Sequence, residues 1–321
     1  MKSVLKKLYV SIGLGASVFL GFSVYLDAGL LVEAFKRFDW FAGLLALVLA
    51  AGNYLGRFWR WHFYLAKLDI QISELDSFRI FLSGLALSVT PGKAGELVKA
   101  YLVRQSAGAP VGLGVSAVFA ERLTDVMALL ILSLAGIYSL QEGAWTLGIA
   151  AAGIGGLLLV IFIPGAIPFL LGILERFPGA KRLVGPARDA YTNARTLLAP
   201  GMLVKGLSMG VLAWMAECVG FYYVLEGFGA GVDLWSATFV YAFATIFGAL
   251  TLLPGGIGTT EGSMTGLLTL RGVPIVDAAA ATFIIRACTL WFAVGIGAVV
   301  LMLSAVEREV GDLVEGEAPS D

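Results

Sequence analysis

The chain has 321 residues and is too apolar for a soluble globular protein. Hydrophobic residues make up 59% of it and charged residues 14%, whereas soluble domains contain about 45–50% apolar and about 25% charged residues. The mean hydropathy is +0.88. We therefore predict an all-α polytopic membrane protein. The formal net charge of −1 says nothing about partners, because the charges are sorted by membrane side, and we expect no nucleic-acid partner.

Residues that could build a catalytic or metal centre are scarce. The single histidine, His62, lies among aromatic residues at the end of a predicted span. Cys218 and Cys288 lie inside apolar stretches, where buried thiols usually have a structural role. The sequence contains no nucleotide-binding, zinc-type or nucleophile motif. We therefore expect no catalytic residue, no metal and no cofactor.

The predicted elements form one transmembrane domain over residues 1–306. A first membrane helix is expected over 8–26, followed by a mixed-charge link over 27–39 and a helix over 40–61 that ends in an aromatic and basic belt. The later elements are a broken segment over 78–103, spans over 111–140 and 145–171, a polar interfacial connector over 175–200, a span over 203–225, a second broken segment over 237–270, a last span over 278–306 and an acidic tail over 307–321.

The positions of lysine and arginine predict the orientation in the membrane. Most of the 22 Lys and Arg residues fall at the ends of predicted spans that would share one side. Lysine and arginine accumulate in cytoplasmic loops. Both termini are therefore expected in the cytoplasm.

Two similar Pro-Gly motifs interrupt the apolar sequence and predict helix breaks. The residue before a proline disfavours the helical region, and glycine permits positive φ. The run over 78–90 would be a helix of about 20 Å, which is short of a hydrocarbon core of about 30 Å. We predict a re-entrant helical hairpin at each motif, although a cytosolic loop between two ordinary spans is the alternative at the first. The predicted tips are Pro91, Gly92, Gly95, Pro254, Gly255, Gly256 and Gly258.

The two motifs belong to an internal repeat. Arg122 follows Pro91 by 31 positions in the sequence, and Arg286 follows Pro254 by 32. Repeat one would cover about 40–140 and repeat two about 203–306. Under the predicted topology the repeats are inverted, and the two tips approach each other near the bilayer midplane, as in many transporters. A chance similarity of two Pro-Gly breaks is the alternative.

Charged residues at membrane depth are the candidate binding residues. A charge at the centre of a membrane helix costs at least about 2.5–3.5 kcal/mol, so these residues need partners or a function. Helix N-termini at the two tips would add free N–H groups for an anion. A purely structural network of ion pairs is the alternative, and for Arg57 it is anchoring at the cytoplasmic interface. The predicted substrate contacts are Arg57, Lys93, Glu96, Glu121, Arg122, Asp125, Glu217, Glu261 and Arg286.

Three motifs together resemble a known family. The segments 88–96, 121–125 and 254–261 look like the signatures of the lysylphosphatidylglycerol synthase transmembrane region, also called the flippase-like domain family. The resemblance covers about residues 8–306. It implies a multi-pass protein of the bacterial or archaeal cytoplasmic membrane that moves a phospholipid, a glycolipid or a polyprenyl-phosphate-linked head group between leaflets. The soluble synthase domain of the best-known member is not expected here, which leaves the lipid open.

These observations together favour a lipid transporter over an enzyme. The expected partner is a membrane lipid, and the resemblance also implies a glycosyltransferase or a lipid-modifying enzyme. One alternative is a membrane enzyme or accessory subunit of lipid-linked glycan assembly, which would use paired carboxylates such as Glu121 and Asp125. Another is a structural protein that holds a glycosyltransferase at the membrane.

Overall fold

The computed structural model describes residues 28–90, 95–137, 166–176 and 181–316. These residues form helices and turns and contain no β-strand, so the prediction of an all-α protein is confirmed for them. Several predicted features lie outside the described residues. They are the first membrane helix over 8–26, nearly all of the span over 145–171, Lys93 with the first tip residues Pro91 and Gly92, and the end of the acidic tail.

The described chain contains twelve α-helices. They are α1 (Ala28–Arg37), α2 (Trp40–Lys67), α3 (Glu74–Leu85), α4 (Val98–Ala107), α5 (Val111–Ile137), α6 (Ala166–Leu174), α7 (Lys181–Leu197), α8 (Pro200–Glu226), α9 (Leu234–Leu250), α10 (Thr259–Leu270), α11 (Ile275–Arg286) and α12 (Phe292–Gly316). A π-helical turn over Ala287–Trp291 joins α11 to α12.

Three helical segments are long and apolar enough to cross a membrane. They are Trp40–Lys67, Pro200–Glu226 and Ile275–Ser304, each about 40 Å long at 1.5 Å per residue. The predicted membrane character is therefore confirmed. Helix α5 has a comparable 27 residues, but it carries three charged residues near its middle.

The segment predicted as a mixed-charge link over 27–39 is a helix, so that prediction is wrong. Its charges suggested a solvated connection, but its apolar residues recur at helical spacing and need a partner. Leu31 and Ala34 in α1 are buried against Ala279 and Ala280 in α11. Arg37 at the end of α1 also forms an ion pair with the carboxylate of Asp277.

Small residues allow the long helices to approach closely. Helix α2 packs along α8, and α3 packs on α12 while α9 packs on α5. A Cβ atom added at Gly297 in α12 would lie 2.3 Å from the backbone nitrogen of Ala86, just after α3. A Cβ atom added at Gly136 in α5 would lie 2.6 Å from the carbonyl oxygen of Trp235 in α9. Glycine at these crossings brings two backbones together, as is common between membrane helices.

Helix breaks occur around both Pro-Gly motifs. The chain leaves α9 at Leu250 and passes through a 3₁₀ turn over Pro254–Gly256 before α10. Gly255 and Gly258 have φ angles of 61° and 88°, as predicted. Gly95 at the first motif lies outside the positive-φ region, so the prediction for it is wrong. Glycine is needed there for space, because a Cβ atom would lie 2.6 Å from the Cβ of Leu87.

The crossing of α12 with α3 predicts a specific loss of stability. We expect Gly297→Ala to lower the free energy of unfolding by about 1–3 kcal/mol, because its new methyl group meets backbone atoms that cannot move aside. Gly295→Ala is the matched control, since a Cβ atom there has no neighbour within 4 Å. Thermal unfolding in detergent measures both. Equal melting temperatures for the two variants would contradict this close packing.

Candidate functional site

A cavity of about 310 Å³ lies among α2, α5, α8, α9, the second Pro-Gly motif and the start of α12. This volume is at the lower end of the range of about 300–1,000 Å³ for small-molecule sites. The cavity brings together residues that are far apart in the sequence. The predicted site residues that line it are Arg57, Glu96, Arg122, Asp125, Glu217 and Arg286.

Asp125 is the centre of the charged wall of this cavity. Its Oδ1 atom accepts hydrogen bonds from Arg60 Nη2 at 2.5 Å and from Trp214 Nε1 at 3.0 Å. Its Oδ2 atom lies 3.1 Å from Arg122 Nη2 and 3.7 Å from Arg57 Nη2. One carboxylate from α5 therefore holds cations from α2 and α5 and an indole from α8.

Among the arginines of this cluster, Arg122 has the most exposed side chain. Its side chain is 24% exposed, compared with 7% for Arg57 and 0% for Arg60. Its Nη2 atom also lies 3.3 Å from Glu96 Oε2. Its Nε and Nη2 atoms are themselves buried and make no well-aligned hydrogen bond with the protein. Arg122 is thus held by two carboxylates, and an anion that replaced one of them would meet N–H groups without an aligned acceptor.

A second glutamate–arginine pair lies at the other Pro-Gly motif. Arg286 Nε donates to Glu261 Oε1 at 2.6 Å, and Arg286 Nη2 donates to the carbonyl oxygen of Gly255 at 2.7 Å. The other oxygen of Glu261 accepts the N–H of Gly258 at 2.6 Å. The expectation of a free N–H group is therefore wrong for Gly258, because Glu261 caps its own helix. Glu261 does not line the cavity itself, but it positions Arg286, which does.

Glu121 lies away from the cavity. Its carboxylate is buried and accepts a hydrogen bond from Lys99 Nζ at 2.5 Å. The same ammonium group lies 4.2 Å from the ring centroid of Trp61, which adds a cation–π contact. The structure thus places Glu121 in a buried ion pair between α4 and α5, separated from the cavity-lining Asp125.

Glu217 lies on the wall formed by α8, beside two tyrosines. The Tyr241 hydroxyl donates to Glu217 Oε2 at 2.6 Å. The Tyr54 hydroxyl donates to the carbonyl oxygen of Thr289 in the π-helical turn. This turn places residues of the last span on the cavity wall, and π-helical turns often occur at functional sites.

Sequence reasoning missed the aromatic residues of the cavity. Tyr54, Trp214 and Tyr241 line it, but in the sequence they look like ordinary aromatic residues of apolar helices. Their polar groups could have identified them as candidates, because buried tyrosine and tryptophan usually need a hydrogen-bond partner. Their partners come from other helices and could not be identified by spacing.

Part of the cavity lining is apolar. Helix α9 and the chain that follows it contribute Ile246, Ala249, Leu250, Leu252 and Leu253. The site thus combines charged groups with hydrocarbon side chains. Within the described ranges, no group of three or more His, Cys, Asp or Glu residues could hold a metal ion.

Comparisons with known proteins agree with the resemblance found in the sequence. A UPF0104 membrane protein of Methanothermobacter thermautotrophicus is 24% identical over 330 residues, which cover 94% of this chain and 98% of the relative. A second UPF0104 membrane protein of the same organism is 23% identical and covers 91% of this chain and 92% of the relative. One of Pyrococcus horikoshii is 23% identical and covers 81% and 86%, respectively.

The match to a protein family covers most of the chain. The model of the lysylphosphatidylglycerol synthase TM region matches residues 9–297. This range includes both Pro-Gly motifs and every charged residue that lines the cavity. The resemblance is therefore confirmed, and the protein belongs to the family of the lysylphosphatidylglycerol synthase TM region.

Proposed function

We propose that this protein is a membrane transporter that moves a lipid with a phosphate-containing head group between leaflets. The observation that carries the proposal is the partly exposed side chain of Arg122, which lines a cavity that also has an apolar lining. An amphiphile matches this arrangement, because its head group needs charged partners and its chains need apolar ones. The lipid would be a phospholipid, a phosphate-bearing glycolipid or a polyprenyl-phosphate-linked molecule.

Arg122 would bind the head group by exchanging partners. In the structure its guanidinium is neutralised by Glu96 and Asp125. A phosphate oxygen could take the place of one carboxylate, because guanidinium groups bind carboxylates and phosphates with the same planar geometry. Arg57 and Arg286 line the same cavity and could contact the other phosphate oxygens. The charge of the head group would then remain paired while it lies inside the membrane.

We also propose that the two halves of the protein are inverted repeats. The pattern of helix contacts supports this proposal, because α3 packs on α12 while α9 packs on α5. Each half thus packs its helix before the Pro-Gly motif on a long helix of the other half. The ion pairs Glu96–Arg122 and Glu261–Arg286 also occupy corresponding positions.

The helices beside the breaks support re-entrant hairpins. Helices α3 and α10 each contain 12 residues, or about 18 Å, which is too short for a hydrocarbon core of about 30 Å. Non-helical backbone survives at membrane depth where it is buried in protein or lines a wet cavity. Gly255 and Gly256 line the cavity.

The proposed transport needs no bond-breaking chemistry by this chain. Glu121, which the enzyme alternative pairs with Asp125, is bound to Lys99 outside the cavity. A glycosyltransferase or a lipid-modifying enzyme would supply or consume the lipid, in line with the resemblance. We place the protein in the cytoplasmic membrane with both termini in the cytoplasm, on the basis of the lysine and arginine pattern.

Paired substitutions separate substrate binding from structural pairing. We expect the double variant Glu96→Gln, Arg122→Gln to lower lipid exchange by about tenfold to a hundredfold, as for the loss of a charge-assisted hydrogen bond. The fold should persist, because the variant leaves neither charge of this pair uncompensated and Asp125 keeps Arg60. Exchange of labelled phosphatidylglycerol in proteoliposomes measures the effect.

The matched control is the buried pair outside the cavity. Lys99→Met with Glu121→Gln should lower the melting temperature but leave exchange per folded molecule unchanged. If the Glu96 and Arg122 variant also loses stability with unchanged exchange per folded molecule, the cavity charges are a structural network and the proposed function is wrong.

The inverted arrangement predicts that two exposed sites lie on opposite sides of the membrane. Gln105 is exposed and lies just after the first proposed hairpin, and Leu270 ends the second and is 85% exposed. In a background with Cys218→Ala and Cys288→Ala, an impermeant maleimide should label Gln105→Cys from the cytoplasm and Leu270→Cys from outside. Labelling of both from one side would exclude inverted repeats.

A further inference from the structure

We propose that Leu250, Leu252 and Leu253 form a seat for one hydrocarbon chain of the lipid at the rim of the cavity. The proposal rests on the proposed function and identifies where the apolar part of the substrate binds. These leucines lie within four residues of one another, where α9 ends and the second Pro-Gly motif begins. The occupant is the acyl or prenyl chain whose head group lies at Arg122.

The backbone of Leu252 is strained. Its φ angle is 55°, in the left-handed region where the side chain of an L-amino acid crowds the backbone. Asp69 is the only other non-glycine residue of the described ranges with positive φ, and aspartate tolerates this region better. Glycine or asparagine would form the turn at Leu252 with less strain. Strain of this kind concentrates at functional sites, which points to a use for the leucine side chain.

The three leucines both line the cavity and face outward. Leu250, Leu252 and Leu253 are 74%, 65% and 45% exposed, yet they line the same cavity as Arg122 and Arg286. A fully buried residue of the cavity would not contact membrane lipid. A residue that faces only the lipid would not line the cavity. In the proposed transporter this rim would connect the charged interior of the cavity with the surrounding hydrocarbon.

The polarity of a lipid fits this connection. A phosphate at Arg122 would leave its chains to contact the apolar lining residues, among which Ile246 and Ala249 precede the leucines along α9. Three adjacent exposed leucines would cover part of one chain and remove apolar surface from any water in the cavity. The chain would thus keep an apolar environment while the head group is inside.

The alternative is that these leucines only contact the surrounding membrane lipid. A leucine on α8 allows a matched comparison. Leu212 is 72% exposed on α8 but does not line the cavity. Leu212→Asn therefore places the same polar side chain at a similarly exposed position without touching the rim. At residue 252 asparagine also suits the left-handed backbone, so Leu252→Asn should melt no lower than the wild type.

The experiment measures dioleoyl phosphatidylglycerol that remains bound to the purified full-length protein after detergent washing, by mass spectrometry. We expect Leu252→Asn to retain lipid about tenfold more weakly, as for the loss of one leucine-sized apolar contact. Leu252→Met and Leu212→Asn should retain as much as the wild type. Glycerol phosphate has no chains, so its binding should fall in Arg122→Gln and stay unchanged in Leu252→Asn.

The outcomes distinguish this inference from the proposed function. Equal lipid retention by Leu252→Asn and Leu212→Asn overturns the chain seat, as does a wild-type protein that retains no lipid. Lipid exchange that survives in Arg122→Gln overturns the proposed function instead. Loss of retention in Leu252→Asn, with exchange also impaired and the melting temperature maintained, supports both.

Discussion

The carboxylate of Asp125 is the interaction on which the site depends. It lies 2.5 Å from Arg60 and 3.1 Å from Arg122, and Arg60 is completely buried. Removing one partner of a buried ion pair costs about 3–5 kcal/mol, because the other charge is left without compensation. Asp125 therefore compensates the charge of the buried arginines and joins α2, α5 and α8 around the cavity.

Close packing at the glycine crossings fixes the surrounding helices. Gly136 brings α5 against α9, and Gly297 brings α12 against α3. These contacts hold the helices that precede the two Pro-Gly motifs and so set the position of each break. The charged residues can then converge on one cavity although they come from distant parts of the chain. Local pairing alone would not bring them together.

Much of this arrangement could be predicted from the sequence, because it depends on strong local signals. Long apolar runs predicted the spans, and the second Pro-Gly motif predicted a break that the structure contains. What could not be predicted depends on tertiary partners. Gly95 is required for space beside Leu87, Glu121 pairs with Lys99 outside the cavity, and Trp214 reaches Asp125 from α8. Charge alone could not separate residues that line the cavity from residues that support it.

The central claim is that a lipid phosphate binds Arg122 inside the cavity. The most direct test is the distance between the phosphorus atom of bound phosphatidylglycerol and the guanidinium nitrogens of Arg122, measured by solid-state NMR on the labelled protein in bilayers. The account predicts direct contact, in which guanidinium nitrogens donate to phosphate oxygens at about 2.7–2.9 Å. The phosphorus–nitrogen signal should be lost in Arg122→Gln. A phosphate found only at the membrane surface, with Arg122 still bound to Glu96 and Asp125, would contradict it.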